Sequence, residues 1–242
     1  MRGVSFFIPV YNEAEIMEAN LTRLAAFCQG LGRPFEIIVG SNGSTDASPA
    51  IGFRLSQEMA DLTFFHLESR GAGRAFREMV RRARYPIILT QDMDLSVDLD
   101  FIPQALELMA DHDLVIGSKR MGAQRRSTLR VVASGAYIFC ARLLLGLGYQ
   151  DYSLAAKAFD KKLIEHFADW IGPGTDYVIN LTYWGQRCGY KIKEIPVRCH
   201  DERESRFNLI EEGLSRFTRL GRLWLLGRRR CPQERKTQVE RF

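Results

Sequence analysis

Four short apolar runs, each followed by a polar loop and then by a stretch of helical spacing, constrain this chain more than any other feature. The runs are Val4–Val10, Phe35–Val39, Leu62–Leu67 and Pro86–Thr90. Apolar residues recur with helical period over Glu15–Leu31, where Gly32 closes the segment, and over Asp46–Met59, Gly73–Ala83 and Phe101–Met109. Leu114–Ile116 adds a fifth short strand. Runs apolar on both faces suit strands buried from both sides, and a βαβα rhythm suits crossover helices between them. The sequence therefore predicts an α/β chain, with a Rossmann-like, mainly parallel sheet covered by helices on both faces. Its 242 residues are within reach of one such domain.

The second half is richer in helix. Leu129–Leu147 reads as one long helix, Lys157–Phe159 as an edge strand and Thr175–Cys188 as a further helix. Lys191–Val197 alternates polar and apolar residues as a half-buried strand does. An amphipathic helix follows over 209–226. The expected organisation is one domain over residues 1–226, including that helix, and a basic, flexible tail over 227–242.

Charge and cysteine content narrow the setting. The formal net charge is +5, which suits phosphate-bearing partners without choosing among nucleotides, nucleic acids and anionic membranes. No nucleic-acid-binding motif accompanies the charge, so nucleic acid is not an expected partner. The five cysteines include no CxxC pair, which points to reduced thiols rather than a disulfide framework or structural zinc. The N-terminus runs directly into a strand with no leader pattern. The most apolar stretch, Val131 to Tyr149, carries Ser134 and Arg142 and so does not read as a membrane span.

In open parallel sheets, ligands sit beyond the carboxyl ends of the strands. The unusual residues fall there: Tyr11-Asn12-Glu13 after the first strand, Ser41-Asn42-Gly43-Ser44 after the second, Arg70-Gly71-Ala72-Gly73 after the third, and Asp92-Met93-Asp94 after the fourth. In extended chain, residues two apart point the same way, so Asp92 and Asp94 lie side by side and repel unless a cation joins them. Mg²⁺ or Mn²⁺ shared with substrate phosphates suits such a pair. Other segments fit two readings. Gly71 and Gly73 suit a backbone that approaches phosphate, with Arg70 and Arg74 adding charge, or a plain helix-start turn. Asn42 to Asp46 suits contact with a base or ribose, or a turn in which Ser44 or Asp46 caps a helix. Phe76 stands where a dinucleotide fingerprint requires glycine.

Taken in order, Pro9-Val10-Tyr11-Asn12-Glu13, Asn42-Gly43-Ser44-Thr45-Asp46, Arg70-Gly71-Ala72-Gly73, Asp92-Met93-Asp94-Leu95-Ser96 and Val115-Ile116-Gly117-Ser118-Lys119 resemble a family 2 glycosyltransferase of GT-A fold. Arg130 with Ser134, Asp151-Tyr152-Ser153, Glu194-Ile195-Pro196-Val197 and Glu204-Ser205-Arg206 resemble the branch that acts on dolichyl or polyprenyl phosphate. The resemblance implies that Pro9, Tyr11, Asn12, Glu13 and Asn42 hold a nucleotide, with Arg70, Gly73, Asp92 and Met93 on the donor. It implies a divalent metal on Asp92 and Asp94, with Ser96 where a third ligand often sits. Lys119 and Arg130 match residues that receive an acceptor phosphate, and Arg206 matches a base that closes over the donor. His200 stands where the family has arginine. The family's acidic pair is Ser41 and Asn42 here, and its arginine after Gly-Ser is Lys119.

The activity so implied is an inverting hexosyl transfer from a nucleoside-diphosphate sugar, of GDP-mannose or UDP-glucose type, to a polyprenyl phosphate. The alternatives are transfer to a soluble glycan acceptor and noncatalytic binding of nucleotide sugars. Asp151 and Asp176 are spare acids that suit substrate positioning as well as a cap or a solvated surface. In the C-terminal helix, Ile210, Leu214, Phe217, Gly221, Trp224 and Leu225 share one face. Arg216, Arg219 and Arg222 share another, and Arg228-Arg229-Arg230 follow. Such a helix suits an anionic membrane surface, or it packs its apolar stripe on the sheet. The first reading makes the protein cytoplasmic and peripheral on the inner face of a membrane.

Overall fold

The structure is a computed structural model. It describes residues 1–121, 128–200 and 209–227, with side chains over 1–121, 134–200 and 216–227. Seven strands form one sheet: β1 (Val4–Val10), β2 (Phe35–Asn42), β3 (Leu62–Leu67), β4 (Ile87–Thr90), β5 (Leu114–Ser118), β6 (Lys157–Asp160) and β7 (Ile192–Pro196). Their order across the sheet is β3-β2-β1-β4-β6-β5-β7. Neighbouring strands run parallel except β6, which is antiparallel to both β4 and β5. Among the described residues, eight α-helices accompany them: α1 (Ala14–Gln29), α2 (Ser48–Glu58), α3 (Ala72–Arg82), α4 (Phe101–Leu108), α5 (Thr128–Leu145), α6 (Lys161–His166), α7 (Tyr177–Arg187) and α8 (Leu209–Gly227).

Side-chain alternation along the strands builds two separate cores. Val4, Phe6, Ile8 and Val10 of β1 join Ile37 and Val39 of β2 and Ile87 and Leu89 of β4 on one face. There they meet Met17, Leu21 and Leu24 of α1, Leu55 of α2 and Phe101 and Ile102 of α4. The intervening Phe7, Ile38 and Ile88 point to the other face and meet Phe76 and Met79 of α3, Leu145 of α5 and Trp184 of α7. The α/β sheet with helices on both faces is as expected.

Two expectations are corrected, and two short helical elements are added. Lys157–Phe159 is not at an edge: β6 fills the centre between β4 and β5, while β7 forms the edge. α6 and a 3₁₀ turn over Ala168–Trp170 are too short to show helical periodicity in sequence. Cys28, Cys140 and Cys199 are free, but Cys188 is disulfide-bonded, against the reading of reduced thiols throughout.

α8 uses a different stripe from the one the sequence singled out. Leu220 and Leu223 are buried and Trp224 is half-buried. Phe217, Leu225 and Leu226 remain exposed. The helix therefore packs on the domain and still presents apolar side chains outward. Its neighbour α5 does the same with Phe139, Leu143 and Leu144, and Tyr137 meets Phe217 edge-on at 5.6 Å between the two helices. Among the described residues, no helix is long and apolar enough to cross a membrane.

Candidate active site

The loops that leave β1, β2, β3 and β4 are laced together at the carboxyl end of the sheet. Asn12, in the left-handed region at φ 55°, donates its backbone N–H to Ser44 Oγ at 3.1 Å. Its Oδ1 accepts from the N–H of Thr45 at 2.8 Å. Asp46 accepts from the N–H of Ala14 at 3.2 Å and of Ser48 at 2.9 Å, so one carboxylate closes the starts of both α1 and α2. Glu13 N–H is taken by Ser48 Oγ at 2.9 Å. Asn42 Oδ1 accepts from Gly71 N–H at 2.6 Å, tying β2 to the loop after β3. Arg70 lies over the Tyr11 ring, 3.7 Å from its centroid. Pro9 pairs with Gly40 in the register of β1 and β2, past the last β1–β4 pair, Phe7 with Thr90.

The Asp92-Met93-Asp94 loop is equally fixed. Gln91 Nε2 donates to Val97 O at 3.1 Å, Leu95 N–H to Asp92 O at 3.1 Å, and Ser96 N–H to Asp94 Oδ1 at 2.9 Å. Leu95 takes φ 49° to make the turn. Asp92 and Asp94 are half-buried on the open side, while Met93 between them is buried in the core. The Met93 carbonyl accepts from Asn20 Nδ2 at 3.0 Å. Met93 thus anchors the loop, through the same alternation that brings the two carboxylates together.

Burial first, and then the charge of Asp94, push the Asp92 carboxyl up to about 6, against the pull of Ala155 N–H, Lys119 and Lys157. A carboxylate pair so disfavoured as a dianion fits a hard divalent cation. Among the described residues, no cluster of three His, Cys, Asp or Glu side chains forms a metal site. A Mg²⁺ or Mn²⁺ held by Asp92 and Asp94 would complete its shell with phosphate oxygens and water, the usual manner of these ions.

Beneath this loop lies a buried charge cluster whose centre the sequence reading missed. Lys157 of β6 is fully buried, and Lys119 and Asp151 nearly so. Burial lowers Lys157 to about 8, with Asp151 and Asp92 opposing that shift. Burial also acts to raise Asp151, but Lys157, Lys119 and the N–H groups of Ser153 and Leu154 outweigh it and hold the carboxyl low. Asp151 accepts from Ser153 N–H and Oγ at 2.9 Å each, Leu154 N–H at 3.1 Å and Lys119 N–H at 3.4 Å. A lysine inside the apolar run Leu154 to Phe159 was the available signal, since a charge there requires a buried partner.

The remaining expected residues divide. His200, far away in sequence, is brought to the metal loop: its N–H donates to Ser96 O at 2.8 Å and its Nε2 stands 3.6 Å from Asp98 Oδ1. Lys119 is buried beside Asp92. Gly73 donates its N–H to Pro173 O at 3.1 Å, and a Cβ there would lie 1.9 Å from Gly172 O. The close approach at Gly73 is to protein backbone. Asp151 and Asp176 are both structural partners rather than solvated acids. Arg206 and the tail arginines lie outside the described residues, as does the side chain of Arg130.

A mainly parallel sheet with one antiparallel central strand, and an Asp-x-Asp loop at its carboxyl end, define a glycosyltransferase of GT-A architecture. A family model for glycosyl transferase family 2 matches residues 5–167, more than half of the chain, and the chain belongs to that family. It is similar to glycosyltransferase AglD of Haloferax volcanii, 28% identical over 236 residues, which cover 91% of this chain and 37% of that protein. It is also similar to an undecaprenyl-phosphate 4-deoxy-4-formamido-L-arabinose transferase of Pectobacterium carotovorum, 28% identical over 166 residues, 68% of this chain and 50% of that one. The chain thus spans between about a third and a half of these relatives' length. Glucosyl-3-phosphoglycerate synthase of Mycobacterium tuberculosis, solved with Mn²⁺, UDP and phosphoglyceric acid, shares the fold. Its TM-score is 0.65 at 20% identity, over 89% of this chain and 75% of that one.

Proposed function

We propose that residues 1–226 act as one transferase domain that moves a hexose from a nucleoside-diphosphate sugar to a polyprenyl phosphate, with inversion. The observation that carries this reading is the Asp92–Asp94 pair, set above the buried Lys119 and Lys157 at the carboxyl end of the sheet. The site offers carboxylates for a metal and cations for phosphate within one cleft. Mg²⁺ or Mn²⁺ bound there supplies Lewis-acid stabilisation of the leaving diphosphate. The chain's own residues do the rest. Tyr11, under Arg70, offers an aromatic face for the nucleotide, and Asn42 stands beside it at the end of β2. Ser96 and His200 hold the metal loop in shape. Lys119, with Arg130 and Arg206, balances phosphate charge.

The acceptor assignment rests on two supports. A lipid phosphate is already anionic and requires positioning more than a general base. The spare acids are consistent with that, because Asp151 is occupied by four donors and Asp176 by Arg219 and Asn180. The relatives named for undecaprenyl phosphate give the second support.

Asn42 is the residue through which the nucleotide base can be questioned. Asn42→Asp keeps the acceptor for Gly71 N–H and changes only charge and the amide donors. The relative affinities for UDP and GDP should shift by at least threefold in equilibrium titrations. Equal ratios in both proteins would remove Asn42 from base or ribose recognition.

The outward apolar side chains of α5 and α8, flanked by the exposed Arg142 and Arg222, suit an anionic membrane surface holding the acceptor. Apolar burial is worth roughly 1.5–3 kcal/mol per large side chain. Replacing Leu143 and Leu225 together by Ser should weaken co-sedimentation with phosphatidylglycerol vesicles by at least tenfold. A wild-type protein that ignores such vesicles would remove the membrane part of the proposal and leave the transferase part standing.

A further inference from the structure

The tripeptide Gly172-Pro173-Gly174, just before α7, is where three elements meet without side chains between them. On one side is the first turn of α3, with Gly73 N–H on Pro173 O and no room for a Cβ against Gly172 O. On the other side is Arg219 of α8. A Cβ on Gly174 would stand 1.9 Å from Arg219 Nη1. The same Nη1 lies 3.2 Å from Asp176 Oδ1, and the Asp176 side chain is only 12% exposed. Asp176 Oδ2 accepts from Asn180 Nδ2 at 3.2 Å, and that amide also donates to Trp170 O at 3.1 Å. Both carboxylate oxygens are therefore engaged, one by α8 and one by α7.

The next residue carries the contact toward the cleft. Tyr177 is buried and stacks on Phe76 of α3, with ring centroids 4.2 Å apart and planes at 19°. It is close enough to Asp92 for that carboxylate to act on its phenol, after burial. α8 is fastened at its other end as well, where Arg187 donates to Gly227 O. Two glycines, at 73 and 174, let backbone and guanidinium meet directly. The contact of Gly73 with Gly172 is backbone on backbone, so it has no flexible side chain to absorb a displacement.

We propose that the Asp176–Arg219 ion pair is a positioning device, which clamps the 172–177 turn between α8 and the first turn of α3 and so sets the donor side of the cleft from the seating of the C-terminal helix. This rests on the reading that the α3 turn and Asp92 face a donor diphosphate. Asp176 acts here through Tyr177 and α3, and it does not touch the reacting atoms. The pair is half-buried and its acid is enclosed, so removing one partner breaks a contact that water does not readily replace.

Hydrogen exchange at the amides of Gly73 to Phe76, followed beside titration with UDP and with GDP in Mn²⁺, tests the clamp. Arg219→Ala should speed exchange at Gly73 at least tenfold. It should weaken whichever nucleotide the wild type binds by five- to tenfold, and Arg219→Lys should recover most of both. Asp176→Asn, nearly the same shape, should reproduce the effect and serves if Arg219→Ala does not fold. Unchanged exchange at Gly73 overturns the clamp. Faster exchange with unchanged nucleotide affinity also overturns it, since the pair would then be structural only. A wild type that binds neither nucleotide defeats the donor reading instead, and exchange at Gly73 then decides the clamp alone.

Discussion

Asp94→Ala should lower transfer by at least ~10³-fold while leaving the protein folded, because the residue combines a large electrostatic role with a small structural one. Its Oδ1 accepts from Ser96 N–H at 2.9 Å, a hydrogen bond worth about 1 kcal/mol. Its side chain is half-buried at the open face of the loop, so truncation leaves no enclosed cavity. Asp94→Asn separates the two roles. The amide retains the acceptor for Ser96 and loses the charge that the metal requires. Both variants should therefore show wild-type thermal unfolding within a few degrees and negligible turnover at any Mn²⁺ or Mg²⁺ concentration. Full turnover by Asp94→Asn in the presence of chelator would contradict the metal assignment.

The largest expected loss of stability is at Asp151. Its carboxylate accepts four hydrogen bonds and faces Lys157 and Lys119 in the interior. Asp151→Ala leaves two enclosed lysines, with Asp92 and Glu194 as the carboxylates still acting on Lys157. Breaking a buried pair in this way costs roughly 3–5 kcal/mol, which in a domain of this size lowers Tm by on the order of 10 °C. The pH dependence has a definite sign. The folded-state pKa of Asp151 lies below its ordinary value, so its stabilisation is fully present above the unfolded value. It is lost as pH falls through the folded one. The stability gap between wild type and Asp151→Asn in urea should therefore be constant near neutrality and narrow below about pH 4. A gap that widens on acidification would show that Asp151 is not held as the anion.

How far this could be read in the sequence depends on whether the signal was local. The strands β1 to β4 and the loops after them follow from continuous apolar runs and from polar residues at their ends, and the structure brings those loops together. A motif carries the middle residue of Asp-x-Asp along with its neighbours, whereas strand alternation sends the Met93 side chain into the core. The missing Cβ of Gly73 serves the Gly172-Pro173-Gly174 turn, about a hundred residues away, a contact no local spacing announces. The place of β6 was invisible for a related reason. A four-residue strand flanked on one side by α5 looks like an edge, and only pairing with both β4 and β5 makes it central. Lys157 carried a usable sign, a charge within an apolar run, and Asp151 six residues upstream was its available partner. The neighbours of His200, Ser96 and Asp98, come from a pairing of Val97 with Cys199 that no spacing announces.

The central claim is that the cleft transfers sugar from a nucleotide to a lipid phosphate. It is tested most directly by supplying radiolabelled UDP- and GDP-hexoses with undecaprenyl or dolichyl phosphate, in Mn²⁺ or in chelator, and counting label that enters the organic phase. The account predicts an organic-phase product from at least one donor, formed with metal, lost in chelator and absent with Asp94→Asn. Nucleotide binding without any lipid product, or label passing only to a water-soluble acceptor, would contradict it.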